Sequence, residues 1–424
     1  MSTEKFYKRL PFYRLLVASI VVITVIACSI QQIRYIHWGG DPRVFVHAAQ
    51  LMLRGEDIIN YVNPYGLYYV YPPLFAFLYI PFTFLPIDVV IILWTILSVL
   101  LLGWSMAAFY SGMTGAKFLS IPAKSRWAVC FFAVLLSARF ILFHLTGGQS
   151  DIVVMAVIVL GLVRFSHRKI YPGVAIGFAI IIKILALPFA FWFLAKRKII
   201  ALAGIVLGCV TGVLLPALAV GLKTDFYYHQ QWLNRIVLHS SPGSEQPIDI
   251  GNLSLRAQLS RFFLDIPAFE YGGIKYSFTI VQLPPGFIAI MTGLFMVSIM
   301  LAIAVYAFRY RNEAPLVSRW GGYALVFSLI PCFSTWTEIH HLVFLVPGYL
   351  YVTHLWYSRL LADRLFRVLV LLSFVFTSLT TKAFLGTFLS RSLTALGFIT
   401  YGMVFLSAAI FRAAENSAST DYPL

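Results

Sequence analysis

The sequence predicts an all-α polytopic membrane protein of about twelve transmembrane helices, with its functional groups gathered in extracytoplasmic loops. Three observations predict it. Of the 424 residues, 60% are hydrophobic and only 11% charged, with mean hydropathy +0.85, more apolar surface than a water-soluble core can hide. The apolar residues fall in long continuous runs, which suits helices rather than the alternating ten-residue segments of a β-barrel. Lys and Arg gather in short clusters between those runs, as the positive-inside rule produces.

Reading about twenty apolar residues per crossing, the spans are 13–33, 88–110, 127–144, 152–166, 171–182, 184–195, 199–221, 285–308, 320–335, 341–356, 366–383 and 392–411. The pair 171–182 and 184–195 is short, and reads either as two crossings or as a re-entrant hairpin with Lys183 at its turn. Residues 73–86 are apolar but bounded by prolines, and are expected as a juxtamembrane helix in the interface. The whole chain, 1–424, reads as one transmembrane unit with two long outer segments, 34–87 and 222–284.

Charge sets the expected orientation. With the N-terminus inside, the inner segments hold 20 of the 32 cations (among them Lys5, Arg14, Lys117, Arg164, Arg168, Lys196, Arg311, Arg359 and Arg412). Five acids accompany them, whereas the outer segments balance ten cations against nine acids. Both termini are therefore expected in the cytoplasm. The basic start reads as a retained first helix, since no convincing small-residue cleavage site follows it.

The same distribution rejects a nucleic-acid partner despite the net charge of +16. Cys28, Cys130, Cys209 and Cys332 are scattered along apolar runs without metal or redox spacing. No glycine-rich phosphate loop follows a strand, so no nucleotide-binding fold is expected.

The outer segments carry the candidate chemistry. The first begins His37-Trp38-Gly39-Gly40-Asp41-Pro42-Arg43 and later reads Tyr69-Val70-Tyr71-Pro72-Pro73-Leu74-Phe75. Asp41 suits a helix cap before Pro42, and equally a general base held just beyond the first crossing. Tyr61, Tyr65, Tyr68, Tyr69 and Tyr71 suit sugar-stacking walls or an interfacial aromatic belt. An ammonium at Lys183, within Ile-Ile-Lys-Ile-Leu, costs about 3 kcal/mol in a bilayer. It either snorkels to lipid phosphate or serves a site. His340 and His341 are adjacent and lack the i, i+4 spacing of a zinc pair, although Glu338 with His341 leaves a metal arrangement open.

An aspartate just after the first helix and a Tyr-x-Tyr-Pro-Pro-Leu-Phe segment resemble the GT-C glycosyltransferases of family 87. The likeness continues in order through Gly147-Gly148-Gln149-Ser150-Asp151, Gly173 to Pro188 around Lys183, Gly251-Asn252-Leu253-Ser254-Leu255-Arg256, and Trp336-Thr337-Glu338-Ile339-His340-His341. It covers most of residues 37–345. The resemblance implies a GT-C-like bundle in the plasma (inner) membrane. Such a bundle would move a hexose, mannose first, from a polyprenyl-phosphate-linked donor to a hydroxyl of a glycolipid or glycan acceptor, with inversion. Under it Asp41 is the base; Lys183, Arg256 and His341 attend the donor phosphate; and Arg43, Tyr71, Gln149, Asn252, Glu338 and His340 contact substrate. Neither metal nor cofactor is expected, because cations can stabilise the leaving phosphate. The rival readings are a GT-C enzyme acting on lipid A or protein, and a lipid-linked-sugar flippase or transporter.

Overall fold

The computed structural model describes residues 3–34, 40–61, 67–165, 169–238, 249–310, 316–358 and 363–418. His37-Trp38-Gly39, Asn63-Pro64-Tyr65 and the loop cations Arg168, Arg311 and Arg359 lie outside them.

The described residues are helical almost throughout. In order they form α1 (Thr3–Arg34), α2 (Asp41–Leu53), α3 (Pro73–Tyr79), α4 (Ile87–Thr114), α5 (Ala123–Gly147), α6 (Asp151–Val163), α7 (Tyr171–Ile182), α8 (Pro188–Ala195), α9 (Ile199–Leu214), α10 (Ala217–Trp232) and α11 (Leu255–Phe263). A small antiparallel hairpin, β1 (Phe269–Tyr271) and β2 (Ile274–Tyr276), pairs Glu270 with Lys275. Then come α12 (Pro285–Arg309), α13 (Leu316–Leu329), α14 (Val346–Tyr357), α15 (Arg364–Ser378), α16 (Lys382–Ala395) and α17 (Phe398–Ala418).

Among the described residues, five helices are long and apolar enough to cross a membrane alone: Leu15–Arg34, Ile87–Thr114, Ala123–Gly147, Pro285–Arg309 and Leu316–Phe333. Two bent pairs raise the number to seven, and α6, α7, α8 and α17 add shorter apolar helices. Several apolar helices of this kind make a multi-pass membrane protein.

Three expected boundaries change. The span expected at 199–221 stops at Leu214, where the chain turns through 95° into α10 at Leu215–Pro216. The outer loop expected at 384–391 is instead the middle of α16, which leaves α15 at 87°. Arg139, isolated in an apolar run, finds its partner at that corner: its guanidinium donates to the Thr377 carbonyl at 2.7 Å and the Thr380 hydroxyl at 2.9 Å. Residues 73–86 form α3 and a 3-10 turn, but do not simply lie on the surface. Leu74, Phe75 and Tyr79 are buried, with Phe75 and Tyr79 packed edge-on against Phe45 of α2. Edge-to-face ring packing of this kind is favourable beyond any area it buries, and it draws the segment inward.

Between α7 and α9 the packing is backbone on backbone. A Cβ added at Gly177 would lie 2.3 Å from the Ile205 carbonyl oxygen, and one at Gly208 would lie 2.3 Å from that of Val174. Gly173 meets Ala201 and Gly204 in the same way, so the two helices run parallel in register. Apolar side chains gain nothing by leaving lipid for one another, so close packing of small residues carries helix association here. Parallel neighbours also require the intervening residues 184–198 to return the height of α7, which the 3-10 turn Ile184–Ala186 and α8 do together. The short pair 171–182 and 184–195 is thus one ascending and one descending limb, with Lys183 at the turn.

The limbs are shallow. α6 has 13 residues and α7 has 12, rises of about 19 and 18 Å at 1.5 Å per residue. Their far ends are marked by exposed Arg164 and Lys169.

The tight α7–α9 seam gives a stability prediction. Gly208→Leu should destabilise the protein by about 1–3 kcal/mol or more, because the obstructing atoms are backbone. Val206→Leu, on the exposed side of α9, should be neutral in the same thermal-unfolding assay in detergent. Equal melting of both variants would refute the seam.

Candidate functional site

Polar groups from five distant stretches meet at the end of the bundle where α1 and α7 finish. Gly148 is what lets the first two meet. It ends α5 with φ +65°, and an added Cβ would sit 2.4 Å from Pro42 Cδ. No other residue accepts both that backbone conformation and that approach. Trp94 holds the turn by donating to the Gly148 carbonyl at 2.9 Å. The next residue, Gln149, then hydrogen-bonds Asp41 and accepts from the Tyr71 hydroxyl at 3.2 Å.

Asp41 does not serve as the cap of α2; that position belongs to Gly40. Its carboxyl instead joins the polar cluster, where Lys183, Glu338 and Asp151 all act on it electrostatically. Its pKa is raised from 3.8 to about 7, chiefly by desolvation and with help from the Glu338 and Asp151 charges, against the opposing Lys183 charge and Gln149 bond.

Lys183 occupies the extended residue that breaks α7 from the next turn. Its ammonium lies 2.7 Å from Asp151 Oδ1 and 5.3 Å from the centre of the Tyr71 ring. Asp151, the first residue of α6, is wholly buried. His144 of α5, also fully buried, accepts the Ile152 N–H at 3.1 Å and so caps that helix from outside.

From the other side comes the segment after α13. Glu338 caps a 3-10 turn, Ile339–Leu345, and its backbone N–H donates to His341 Nδ1 at 3.0 Å. His340 stands between two carboxylates, with Nε2 3.8 Å from Asp151 Oδ2 and Nδ1 3.4 Å from Glu338 Oε2. Trp336 Nε1 donates to the other Glu338 oxygen at 2.8 Å. Burial raises the Glu338 pKa above the usual carboxylate value, against the Trp336 bond and the Lys183 charge.

Ligand atoms of Asp151, His340 and His341 come within 4.8 Å of one another, close enough for a metal ion. Two facts weigh against that use. A neutral His341 whose Nδ1 accepts a hydrogen bond carries its proton on Nε2 and offers a donor there, not a lone pair. Asp151 already holds an ammonium at 2.7 Å, which would repel a cation placed beside it.

The remaining sequence candidates have other engagements. Arg43 donates to the Gln32 carbonyl at 2.9 Å and to that of Ile33 at 3.4 Å, closing the end of α1. Asn252 pins two segments together: its amide donates to the Thr335 carbonyl, and its oxygen accepts from the Thr337 and Ser254 N–H groups. Arg256 is half-buried in the first turn of α11, just beyond that pin. Of the described tyrosines, Tyr71 faces Lys183, whereas Tyr69 donates to the Pro72 carbonyl, Tyr61 packs on His47 and Tyr68 stacks under Arg235.

Sequence reasoning quoted Asp151 and Trp336 within motifs but gave them no role in the site, and passed over His144. A signal for Asp151 existed: an acid and a base, each stranded in an apolar run at the same end of the bundle, need one another. His144 gave none, and Trp336 none beyond its place in a quoted motif, because neither belongs to a charge pattern.

The cluster therefore combines a carboxyl half-protonated near neutrality, an anchored ammonium and an imidazole with a donor edge. Such a set can take a proton from a hydroxyl and stabilise an anionic leaving group. A family model described as glycosyltransferase family 87 matches residues 69–331. That span contains Tyr71, Gln149, Asp151, Lys183, Asn252 and Arg256, while Asp41, Arg43 and residues 338–341 flank it. No curated protein matches the chain.

Proposed function

The chain belongs to glycosyltransferase family 87, a membrane glycosyltransferase, and from that membership we propose a polyprenyl-phosphate-sugar-dependent hexosyltransferase acting at the extracytoplasmic face of the plasma membrane. Mannose is the proposed sugar, and a hydroxyl of a glycolipid or glycan the proposed acceptor. The proposed architecture is a GT-C-like bundle of about twelve crossings with both termini cytoplasmic.

One observation supports the reading most: Asp41 shares a cluster with the Lys183 ammonium and has a carboxyl pKa near 7. In the proposed step the acceptor oxygen attacks the anomeric carbon as Asp41 takes its proton. The bond from that carbon to the phosphate oxygen breaks on the opposite face, so the configuration inverts. Polyprenyl phosphate leaves with the bonding electron pair, and Lys183 and the His341 Nε2–H stabilise its charge. Gln149 and Tyr71 orient Asp41. Arg256 and Asn252 are proposed to border the donor, and Arg43 to set the angle at which α2 leaves α1.

The test is purified protein in detergent with radiolabelled polyprenyl-phosphate mannose and a glycolipid fraction, run beside nucleotide-linked mannose. Label transferred from the lipid-linked donor alone supports the reading; transfer from the nucleotide sugar alone refutes it.

A pH profile tests the base separately. Since the Asp41 pKa is raised to about 7, the reactive carboxylate is depleted below that value. Transfer should therefore fall about tenfold for each pH unit below roughly 6. A profile flat from pH 8 to 5 would remove Asp41 from the role.

A further inference from the structure

Helix α10 offers a surface that the catalytic reading does not use. Its two faces differ sharply. Asp225, Tyr228 and Trp232 lie toward the protein: the Tyr228 hydroxyl donates to the Glu56 carbonyl at 2.5 Å, and Trp232 Nε1 to that of Val70 at 3.1 Å. The neighbouring Tyr227 hydroxyl reaches Asp57 Oδ2 at 3.1 Å, and Arg235 donates to the Asn60 side chain. Every one of these partners belongs to the segment between α2 and α3, the stretch that leads to Tyr71.

Facing away, Leu218, Leu222 and Phe226 are 78%, 69% and 76% exposed, and Leu233 continues the row at 45%. Gly221, with φ 78° and ψ 157°, kinks α10 after Leu218; beyond it the spacing of four and seven residues puts Leu222, Phe226 and Leu233 on one stripe. Water is a poor neighbour for such a stripe, and the structure indicates what covers it. The exposed face of α9 (Val206, Leu207, Val210 and Leu214) belongs to an apolar bundle helix and faces lipid. Beyond the 95° corner the apolar exposure resumes at Leu218 and, past the kink at Gly221, at Leu222. A helix turned at a right angle to a membrane-crossing neighbour lies in the membrane plane. Its depth follows from the α7–α9 seam: the Ile181 side chain meets Gly212, so α9 ends beside Lys183.

We propose that α10 is a membrane-surface strap. Its Leu222–Phe226–Leu233 row seats among the lipid acyl chains and glycerol groups of the leaflet at the Lys183 end of the bundle, while its opposite face tethers Glu56, Asp57, Asn60 and Val70 to that leaflet. Amphipathic helices of this build sink 5–10 Å into the acyl–headgroup boundary. The strap thereby fixes one wall of the polar cluster relative to the lipid surface.

The experiment is photocrosslinking in vesicles of phosphatidylcholine and phosphatidylglycerol, and it needs no turnover, so it stands apart from the sugar-transfer proposal. p-Benzoylphenylalanine replaces Phe226 in one protein and Arg54, on the polar side of the tether, in another. Mass spectrometry after illumination should find phospholipid adducts at position 226 at least tenfold above position 54. Equal adduct yields would overturn the strap. So would a protein adduct at position 226, since a second copy of the chain would then cover the row. Leu222→Asp with Phe226→Asp should also make the Tyr228–Glu56 region cleavable by added protease, and unchanged protection would count against the tether.

Discussion

Asp41→Asn should lower sugar transfer by about 10²- to 10⁴-fold, the contribution expected of a positioned base, while leaving donor binding within a few-fold of wild type. Asparagine preserves the shape and can still hydrogen-bond Gln149, so the loss isolates the proton-accepting oxygen. The same substitution should stabilise the fold, with a direction set by pH. Asp41 has a folded pKa of about 7 against 3.8, so its protonated form is the favoured one inside. The stability this gives is fully present below pH 4 and is lost as pH rises through 7. Asp41→Asn should therefore melt at a higher temperature than wild type at pH 8, by an amount equivalent to a few kcal/mol. At pH 4 the two should melt alike. An asparagine variant that transfers sugar at the wild-type rate would end the assignment of Asp41 as base.

Lys183→Met should be the most damaging single change for folding. Removing the ammonium strands the Asp151 carboxylate, which is wholly buried and 2.7 Å from its partner. Breaking a buried pair in this way costs about 3–5 kcal/mol, so loss of transfer in the single variant would say little about chemistry. The informative protein is Lys183→Met with Asp151→Asn, in which no uncompensated charge remains. Its melting temperature should recover most of the loss, while transfer stays at least about 10²-fold down, as for loss of a donor that stabilises developing charge. If the double variant regains both stability and turnover, the pair is purely structural and Lys183 has no part in leaving-group stabilisation.

Much of this arrangement was legible in the residues, for identifiable reasons. Helices announce themselves through continuous apolar runs, and the expected spans at 88–110, 127–144 and 285–308 lie within α4, α5 and α12. The gathering of Asp41, Gln149, Lys183 and Glu338 followed from counting crossings, since parity puts their loops at one end. Corners were harder to read. Hydropathy registers how apolar a helix is and not which way it points, so 199–221 looked like one crossing although its second part runs at 95° to the first. Partners were harder still. Arg43 and Asn252 had the right chemistry for a substrate, yet each can satisfy the polypeptide's own carbonyl and N–H groups, and no one-dimensional pattern separates the two uses. The Asp41 cap went the opposite way: Gly40 took the capping position, which left the carboxyl available.

The shallow limbs α6 and α7 set the depth at which any reaction takes place. On the proposed architecture, with the exposed cations at their far ends at one edge of a hydrocarbon slab about 30 Å thick, Asp151 and Lys183 would stand about 20 Å up it, some 10 Å beneath the nearer row of headgroups. A phosphate tethered to a long prenyl chain can sink to that level by drawing its tail sideways, whereas a water-borne nucleotide would have to shed its hydration to follow. Selection between the two kinds of donor would then rest on immersion rather than on recognition of the sugar. The scarcity of water at that depth would also protect the activated bond from hydrolysis until an acceptor hydroxyl is lowered onto Asp41.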